Sequence, residues 1–202
     1  MAHDEAAHRS LGLRLTRWET DGRPPELRRY VAIAAPHTTN RDLLYLLLHA
    51  WYHDLSISWL GKQSLLRWPA GPVLRKLGGV PVERDSKSGL VQSLADRFDD
   101  AAAHDRRFVL IIPPEGTRSA GDYWKSGFYE IARAADVPIV CIYLDYERRV
   151  GGFGPTVEVT GDVDADLSTI RDFVTGVRGK YPDLASTVAF RPRHESNDDE
   201  LD

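Results

Sequence analysis

The sequence predicts an α/β domain with a mostly parallel central sheet flanked by helices. Two observations support this fold class. Runs such as "RRYVAIAA" and "RFVLII" are apolar without polar alternation, which is typical of strands that are buried on both faces. Stretches with helical spacing separate these runs, and strands that alternate with helices build a layered, mostly parallel sheet.

The elements of the first half follow in order along the chain. "LGLRLTRWET" alternates loosely and precedes the turn "DGRPPE", so it predicts an edge strand. "RRYVAIAA" predicts a buried strand, and "NRDLLYLLLHAWYHD" predicts a helix capped by Thr39 or Asn40. Next come a short strand, two helical pieces broken by prolines, and another strand: "SISWLG", "KQSLLRW", "AGPVLRKLGG" and "VPVERD".

The second half repeats this alternation. "GLVQSLADRFDDAAAHD" has apolar residues at helical spacing, and "RFVLIIPPEGTRS" predicts a central strand followed by a polar loop. The helix "KSGFYEIARAAD" and the buried strand "VPIVCIYLDY" come next. "TVEVTGDV" alternates and predicts a further strand, and "DLSTIRDFVTGVRGKY" closes the domain as a helix.

Length and charge favour one globular domain. The 202 residues are enough for a single domain with a sizeable core. We assign it to residues 1–193, followed by an acidic tail at 194–202 that lacks apolar periodicity and is predicted to be disordered. The net charge is -4, and without the five acidic residues of the tail the body is at about +1. No basic stripe is present, which argues against a nucleic-acid partner.

Three features bear on cellular location. Cys141 is the only cysteine and lies in an apolar run, so it predicts a buried thiol and excludes an internal disulfide. The stretch "MAHDEAAHRS" lacks the layout of a signal peptide. The longest apolar stretch, Leu43 to Trp51, is much shorter than the roughly 20 residues that span a bilayer. We therefore expect a cytoplasmic protein that does not span the membrane.

A histidine and an aspartate at His-x4-Asp spacing occur three times. His49 and Asp54 fall on one predicted helix, where five residues at about 100° each turn the two side chains apart. The pair at 194 and 199 belongs to the acidic tail. His37 follows a buried strand, whereas Asp42 enters the first turn of the next helix. This turn could fold the carboxylate back to the imidazole, or the two residues could be an ordinary loop histidine and a helix-start carboxylate.

Two other predicted strand ends also carry polar side chains. "VPVERD" ends with Arg84, and "FVLIIPPEGTRS" delivers Glu115, Gly116, Thr117 and Arg118. If these strands are parallel neighbours of the first, all these groups lie at one edge of the sheet, where open α/β sheets bind ligands. Arginine is suited to bidentate binding of phosphate or carboxylate. By itself "EGTR" could be an ordinary surface turn with a Glu–Arg pair. Together with His37 and Arg84 at neighbouring strand ends, it favours a site for an anionic ligand beside His37.

The motifs together resemble those of the glycerolipid acyltransferase family (1-acylglycerol-3-phosphate acyltransferase and its relatives). "PHTTNRD", "GGVPVERD", "PPEGTRS" and "VPIV" occur in the order of the four family motifs, and the resemblance covers roughly residues 30 to 145. The region that follows resembles short bacterial glycerol acyltransferases. Pro36 stands where many members of the family have Asn. The resemblance implies the same α/β acyltransferase fold.

The resemblance also implies roles for the motif residues. His37 corresponds to the general base that deprotonates the acceptor hydroxyl, and Asp42 to the carboxylate that orients it. Arg84 corresponds to the arginine that binds the acceptor phosphate, and residues 115–118 to the segment that binds the acceptor. No metal or cofactor is implied, because the acyl donor is itself a substrate, either acyl-CoA or acyl-carrier protein. Backbone N–H groups at the helix start are candidate donors to the oxyanion.

The partners are then a thioester donor and a lysophospholipid or glycerol-phosphate-like acceptor. The segment 59–77 mixes Trp and Leu with basic residues, so it either contacts an anionic membrane as a peripheral segment or packs its apolar side chains on the core. Two other functions stay open. The same pair could activate water in a hydrolase, or the protein could bind lipid or acyl carrier without catalysis.

Overall fold

A seven-stranded sheet lies between two layers of helices in the computed structural model, which describes residues 10–64, 66, 67, 69–82, 87–118 and 121–191. Its strands are β1 Glu19–Asp21, β2 Arg29–Ala34, β3 Ser58–Lys62, β4 Gly79–Val82, β5 Phe108–Ile112, β6 Ile139–Asp145 and β7 Val150–Val157. Its helices are α1 (residues 10–16), α2 Arg41–Tyr52, α3 Gly71–Lys76, α4 Lys87–Ala103, α5 Gly127–Ala134 and α6 Val163–Thr175. The predicted acidic tail lies outside these described residues.

The strand order is β1-β7-β6-β2-β5-β3-β4. The five strands from β6 to β4 are parallel, β7 is antiparallel to β6, and β1 is parallel to β7. The predicted fold class, an α/β domain with a mostly parallel sheet, is confirmed. Strand β2 lies near the centre, where it pairs with both β5 and β6, so its carboxyl end is flanked by the ends of two neighbours.

Alternate residues of the central strands enter two separate cores. Val31 and Ile33 of β2 face the core beneath α4, α5 and α6, while Tyr30, Ala32 and Ala34 face the core beneath α1, α2 and α3. This two-sided burial is why β2 and β5 read as continuous apolar runs in the sequence. The molecule therefore has a first layer of helices, α1–α3, and a second layer, α4–α6.

The segment predicted as the first strand is mostly helical, and that part of the prediction is wrong. Residues 10–16 form α1, and only Glu19–Asp21 pair as a strand. Leu13 points into the core, whereas Leu11 and Leu15, four residues apart, lie on the exposed face of α1. The alternation of leucines matched a strand over a short stretch, but the segment packs on α2, where a Cβ on Gly12 would touch the Leu48 side chain.

Three further boundaries differ from the prediction. "KQSLLRW" is not helical in its described residues, because β3 extends to Lys62 and turns follow. Strand β7 begins at Val150, so the segment "VGGFGPTV" forms the strand and "TVEVTGDV" contributes only its first two residues. The last helix ends at Thr175, and residues 176–181 continue without regular structure.

Two smaller expectations can be compared with the structure. Cys141 is buried in β6, and burial raises the pKa of its thiol to about 12, which makes it unreactive near neutral pH. Across the described chain, none of the helices combines the length and the apolar character that crossing a bilayer requires.

Candidate active site

The candidate site lies at the carboxyl end of β2, in the loop that leads into α2. Helix α2 begins after its N-cap Asn40, one of the two predicted cap residues, and Asp42 lies in its first turn. Because β2 pairs with β5 in register, with Ile33 opposite Ile112, the loop after β5 starts beside the loop after β2. The sheet thus brings residues 36–42 and 113–118 to the same edge.

His37 and Asp42 are in direct contact within this loop. The distance from Nδ1 of His37 to Oδ2 of Asp42 is 2.8 Å, although the oxygen is not well aligned with the N–H bond. The imidazole is only slightly exposed, at 14% of its side-chain surface, and the carboxylate is buried. Nδ1 thus faces the carboxylate, and Nε2 is the ring nitrogen on the side away from Asp42.

Besides its contact with the imidazole, Asp42 accepts hydrogen bonds from three other groups. Its Oδ2 accepts hydrogen bonds from the backbone N–H groups of Thr38 and Thr39, at 3.2 and 3.1 Å. Its Oδ1 accepts one from the hydroxyl of Tyr146, at 2.6 Å. The amides of Thr38 and Thr39 are therefore occupied, and these two helix-start groups do not serve as oxyanion donors in this arrangement.

Glu115 lies beneath the loop of His37. Its Oε1 accepts a hydrogen bond of 2.9 Å from the backbone N–H of His37, and the residue is only 3% exposed. Oε2 has no hydrogen-bond partner among the described residues. Burial raises the pKa of the carboxyl above its ordinary value, despite the opposing effect of the His37 amide. Glu115 thus supports the backbone of His37, a contact that sequence spacing did not reveal.

The structure describes three of the other predicted site residues, but not Arg84. Gly116, Thr117 and Arg118 are exposed in the turn after β5, and Gly116 adopts a φ of +67° that favours glycine. A side chain at Gly116 would also approach the aliphatic chain of Lys125. Arg84 lies outside the described residues. The structure therefore brings Glu115 into contact with His37, places residues 116–118 in the exposed turn that follows, and leaves the position of Arg84 open.

The remaining His-x4-Asp pairs contrast with the first. Nδ1 of His49 lies 2.7 Å from the carbonyl oxygen of Tyr45, and Nε2 lies 3.1 Å from that of Glu19. Asp54 follows α2 in a left-handed conformation, with a φ of +53°. His194 and Asp199 lie outside the described residues. His49 is therefore a packing residue between α2 and β1, and burial lowers its pKa.

A C-terminal segment that the sequence did not connect with the site packs against it. The backbone N–H of Tyr181 donates a 3.1 Å hydrogen bond to the hydroxyl of Thr38. A Cβ on Gly179 would lie 3.0 Å from Pro36 and 3.1 Å from Thr38. The absence of a side chain at Gly179 allows residues 177–181 to lie closely on the loop of His37.

The segment 59–77 divides between core and surface. Trp59 and Leu66 are buried, and the indole of Trp59 donates to the carbonyl of Leu77. Val73 and Leu77 are exposed. Leu65 and Trp68 lie outside the described residues. Only part of this segment is thus available to contact lipid.

The described residues contain no group of three or more His, Cys, Asp or Glu side chains arranged to hold a metal ion.

Comparisons with known proteins bear on the family and the fold of the chain. The model of the family described as Acyltransferase matches residues 22–145, which is more than half of the chain. A crystal structure of the 1-acyl-sn-glycerophosphate (LPA) acyltransferase, PlsC, from Thermotoga maritima has a similar fold, with a TM-score of 0.53 and 17% sequence identity. The similarity covers 85% of this chain and 75% of that one. No curated protein matches significantly in sequence.

Proposed function

The chain belongs to the Acyltransferase family, and from this membership we propose that it moves a fatty acyl group from a thioester donor to the hydroxyl of a lysoglycerophospholipid-type acceptor. The observation that carries the proposal is the contact between Nδ1 of His37 and Oδ2 of Asp42, 2.8 Å apart at a strand end. A base and its orienting carboxylate are what transfer to an alcohol requires.

The reaction needs one proton acceptor and no protein nucleophile. Nε2 of His37 takes the proton of the acceptor hydroxyl as its oxygen attacks the carbonyl carbon of the thioester. The carbon–sulfur bond then breaks, and the leaving thiolate takes the proton back from the imidazolium. The products are an ester and a free thiol, and the histidine returns to its neutral form.

Asp42 selects the ring nitrogen that reacts. A carboxylate at Nδ1 favours the tautomer that carries its proton there, which leaves the lone pair of Nε2 for the hydroxyl. The amides of Thr38 and Thr39 hold this carboxylate in place from the same loop. The base is thus oriented before the substrates bind, which lowers the entropic cost of reaching the transition state.

The acceptor phosphate is proposed to bind to arginines at the same edge of the sheet. Arg118 is exposed in the turn after β5, close in sequence to Glu115, which contacts the loop of His37. Arg84 is assigned the same role from its motif. Gly116 and Thr117 would line the approach of the acceptor. Guanidinium groups suit a phosphate because they can form two parallel hydrogen bonds to it.

The acceptor is a membrane lipid in this proposal, so the protein should bind a bilayer peripherally from the cytoplasmic side. Exposed apolar side chains on the first layer of helices support this part of the proposal. The second layer has no exposed large apolar side chain among its described residues. The first layer has seven, which lie on α1–α3 or directly after α3: Leu11, Leu15, Leu44, Trp51, Tyr52, Val73 and Leu77.

The two layers of helices also differ in charge, and the difference again favours the first layer as the side that contacts lipid. Helices α1–α3 expose Arg14, Arg41, Arg75 and Lys76, and the sole acidic residue within their described spans is Asp42, which is buried. The second layer carries most of the helical carboxylates, three of them on α6. Apolar side chains mixed with cations favour contact with anionic lipid headgroups. His37 precedes α2, so the same layer would bring it close to the lipid.

A product assay tests the proposal. The purified protein is incubated with isotopically labelled acyl-CoA or acyl-carrier protein and a panel of lysophospholipids, and the lipids are identified by mass spectrometry. We expect a labelled ester of a phosphorylated acceptor. Release of labelled fatty acid without an ester would instead indicate a hydrolase, and no product from either donor would indicate a binding protein.

A further inference from the structure

The carboxylate of Asp42 receives a hydrogen bond from a residue that is distant in sequence. Tyr146 follows the last residue of β6, and its hydroxyl donates to Oδ1 of Asp42 at 2.6 Å. The hydrogen bonds from the loop of His37 itself both fall on the other oxygen, Oδ2. Tyr146 thus occupies the side of the carboxylate that the loop leaves open, and it lies one residue beyond the segment that matches the family.

The ring of Tyr146 is fixed by its surroundings. It packs edge-on against Trp18, with ring centres 5.0 Å apart, and against Tyr45, at 5.8 Å. Trp18 and Tyr45 stack on each other at 4.4 Å. The backbone N–H of Tyr146 donates to the carbonyl of Arg178 at 2.8 Å. This aromatic cluster, formed by Trp18, Tyr45 and Tyr146, holds the hydroxyl at one place relative to Asp42.

A donor on Oδ1 affects the imidazole through the carboxylate. The terminal torsion of an aspartate is soft, so a carboxylate bonded on one oxygen alone can rotate. With Tyr146 on Oδ1 and two amides on Oδ2, rotation breaks several hydrogen bonds at once. Oδ2 therefore stays opposite Nδ1 of His37, 2.8 Å away. Burial and the neighbouring Asp42 raise the pKa of Tyr146 above its ordinary value, so its hydroxyl keeps the proton that it donates.

We propose that Tyr146 is a positioning residue of the reaction, which holds Asp42 in the rotation that selects the reactive tautomer of His37. This inference rests on the proposed acyl transfer, in which Nε2 of His37 is the base. It assigns to a residue outside the four motifs a part in the chemistry. Tyr146 does not contact the reacting atoms, and its effect passes through Asp42.

The test compares two matched deletions of a hydroxyl. Tyr146→Phe removes the donor to Asp42 and keeps the ring in the aromatic cluster. Tyr129→Phe removes a buried hydroxyl that donates to a different aspartate, Asp166, at 2.7 Å in the second layer of helices. We expect Tyr146→Phe to lower kcat about 10- to 100-fold, the usual range for one hydrogen bond to a charged group, with KM little changed. Tyr129→Phe should keep the wild-type kcat.

A spectroscopic measurement separates this role from a merely structural one. In protein with 15N-labelled histidine, the His37 resonances are assigned by their loss in His37→Ala, and the tautomer is read from the shifts of Nδ1 and Nε2. The wild type should carry the proton on Nδ1, and Tyr146→Phe should populate the other tautomer. A wild-type kcat and tautomer in Tyr146→Phe, or an equal loss of kcat in Tyr129→Phe, would overturn the inference.

Failure of the proposed function would look different from failure of this inference. If the wild-type protein transfers no acyl group, the proposed function fails, yet the tautomer of His37 still reports whether Tyr146 acts on the pair. If the wild type is active and the tautomer does not respond to Tyr146→Phe, the positioning role alone is wrong.

Discussion

The backbone N–H of His37 donates a hydrogen bond to Oε1 of Glu115 across the edge of the sheet, at 2.9 Å. This contact joins the loop after β2 to the loop after β5, and it is buried on the Glu115 side. The hydrogen bond therefore connects two sequence motifs whose contacting residues lie 78 positions apart. The contact also couples the stability of the site to the protonation of Glu115.

Glu115→Gln tests this coupling. Burial raises the pKa of Glu115, so the folded state binds its proton more tightly than the unfolded state does. Stability then falls as the pH rises from the ordinary value near 4.5 to the raised value, by about 1.4 kcal/mol for each unit between them. Gln keeps an acceptor for the His37 amide but cannot ionise, so we expect it to stabilise the protein above this window.

Urea unfolding of Glu115→Gln and the wild type between pH 4.5 and 8 measures the difference, which should shrink as the pH falls toward 4.5. Glu130→Gln on α5 is a control, because that carboxylate is partly exposed and pairs with Arg133 at the surface. A Glu115→Gln protein that is less stable than the wild type at every pH would mean that the His37 amide needs the ionised carboxylate.

His37→Ala should remove most of the activity and leave the fold in place. A well-placed general base contributes roughly 10²–10⁴-fold in rate, so kcat should fall by about that factor. Asp42 retains its bonds from Thr38, Thr39 and Tyr146, which keeps its charge satisfied. The measurements are kcat and the thermal unfolding midpoint.

His104→Ala is the matched control for His37→Ala. His104 also lies close to an aspartate, Asp100, at 3.1 Å, but that pair is exposed at the end of α4. The His104→Ala variant should therefore retain the wild-type kcat. Substantial acyl transfer by a folded His37→Ala protein would remove His37 from the mechanism.

Arg84→Ala and Arg118→Ala should weaken binding of a phosphorylated acceptor. Loss of one charge-assisted hydrogen bond corresponds to about a tenfold or greater rise in KM, while kcat should change less. A monoacylglycerol acceptor, which lacks the phosphate, should be insensitive to both substitutions. Arg97→Ala on α4 is the control, because Arg97 is exposed on the second layer. A variant with unchanged KM would show that its arginine does not bind the phosphate.

Replacement of two exposed apolar residues tests the membrane face. Leu15 and Trp51 are 76% and 54% exposed, so Leu15→Glu combined with Trp51→Glu should hardly change the unfolding midpoint. Transfer of a large apolar side chain from water into an apolar environment is favourable by roughly 1.5–3 kcal/mol when burial is complete, and the added charges repel anionic lipid. We expect the double variant to lose flotation with phosphatidylglycerol-containing vesicles.

Tyr123→Glu is the control for the membrane face, since Tyr123 is an exposed aromatic residue that does not belong to the first layer. It should float with the vesicles as the wild type does. Added salt should weaken the wild-type interaction, because the arginines and lysine of the first layer contribute by charge. Failure of the wild type to bind anionic vesicles would rule out the membrane face.

Particular residues show why the sequence analysis succeeded in part. The run that forms β2 enters two cores at once, so it had to be apolar throughout, and its strand could be read directly. The leucines of α1 fit a strand and a helix equally well over a few residues, and packing on α2 decided between them. Strand β7 contains glycines and a proline, which are rare within strands, so its sequence did not indicate a strand over its full length. Pairing with β6 on one side and β1 on the other stabilises it.

The fold class, the residue types at the strand ends and the chemistry of these side chains could be inferred from the amino-acid sequence. Which of these groups meet depends on the tertiary structure. Of three His-x4-Asp pairs, His37 and Asp42 are in contact, and Tyr146 reaches the same carboxylate from 104 residues away. Local spacing sets the direction of a side chain within its own strand or helix. Contacts between distant residues depend instead on the order and register of the strands, which no single segment encodes.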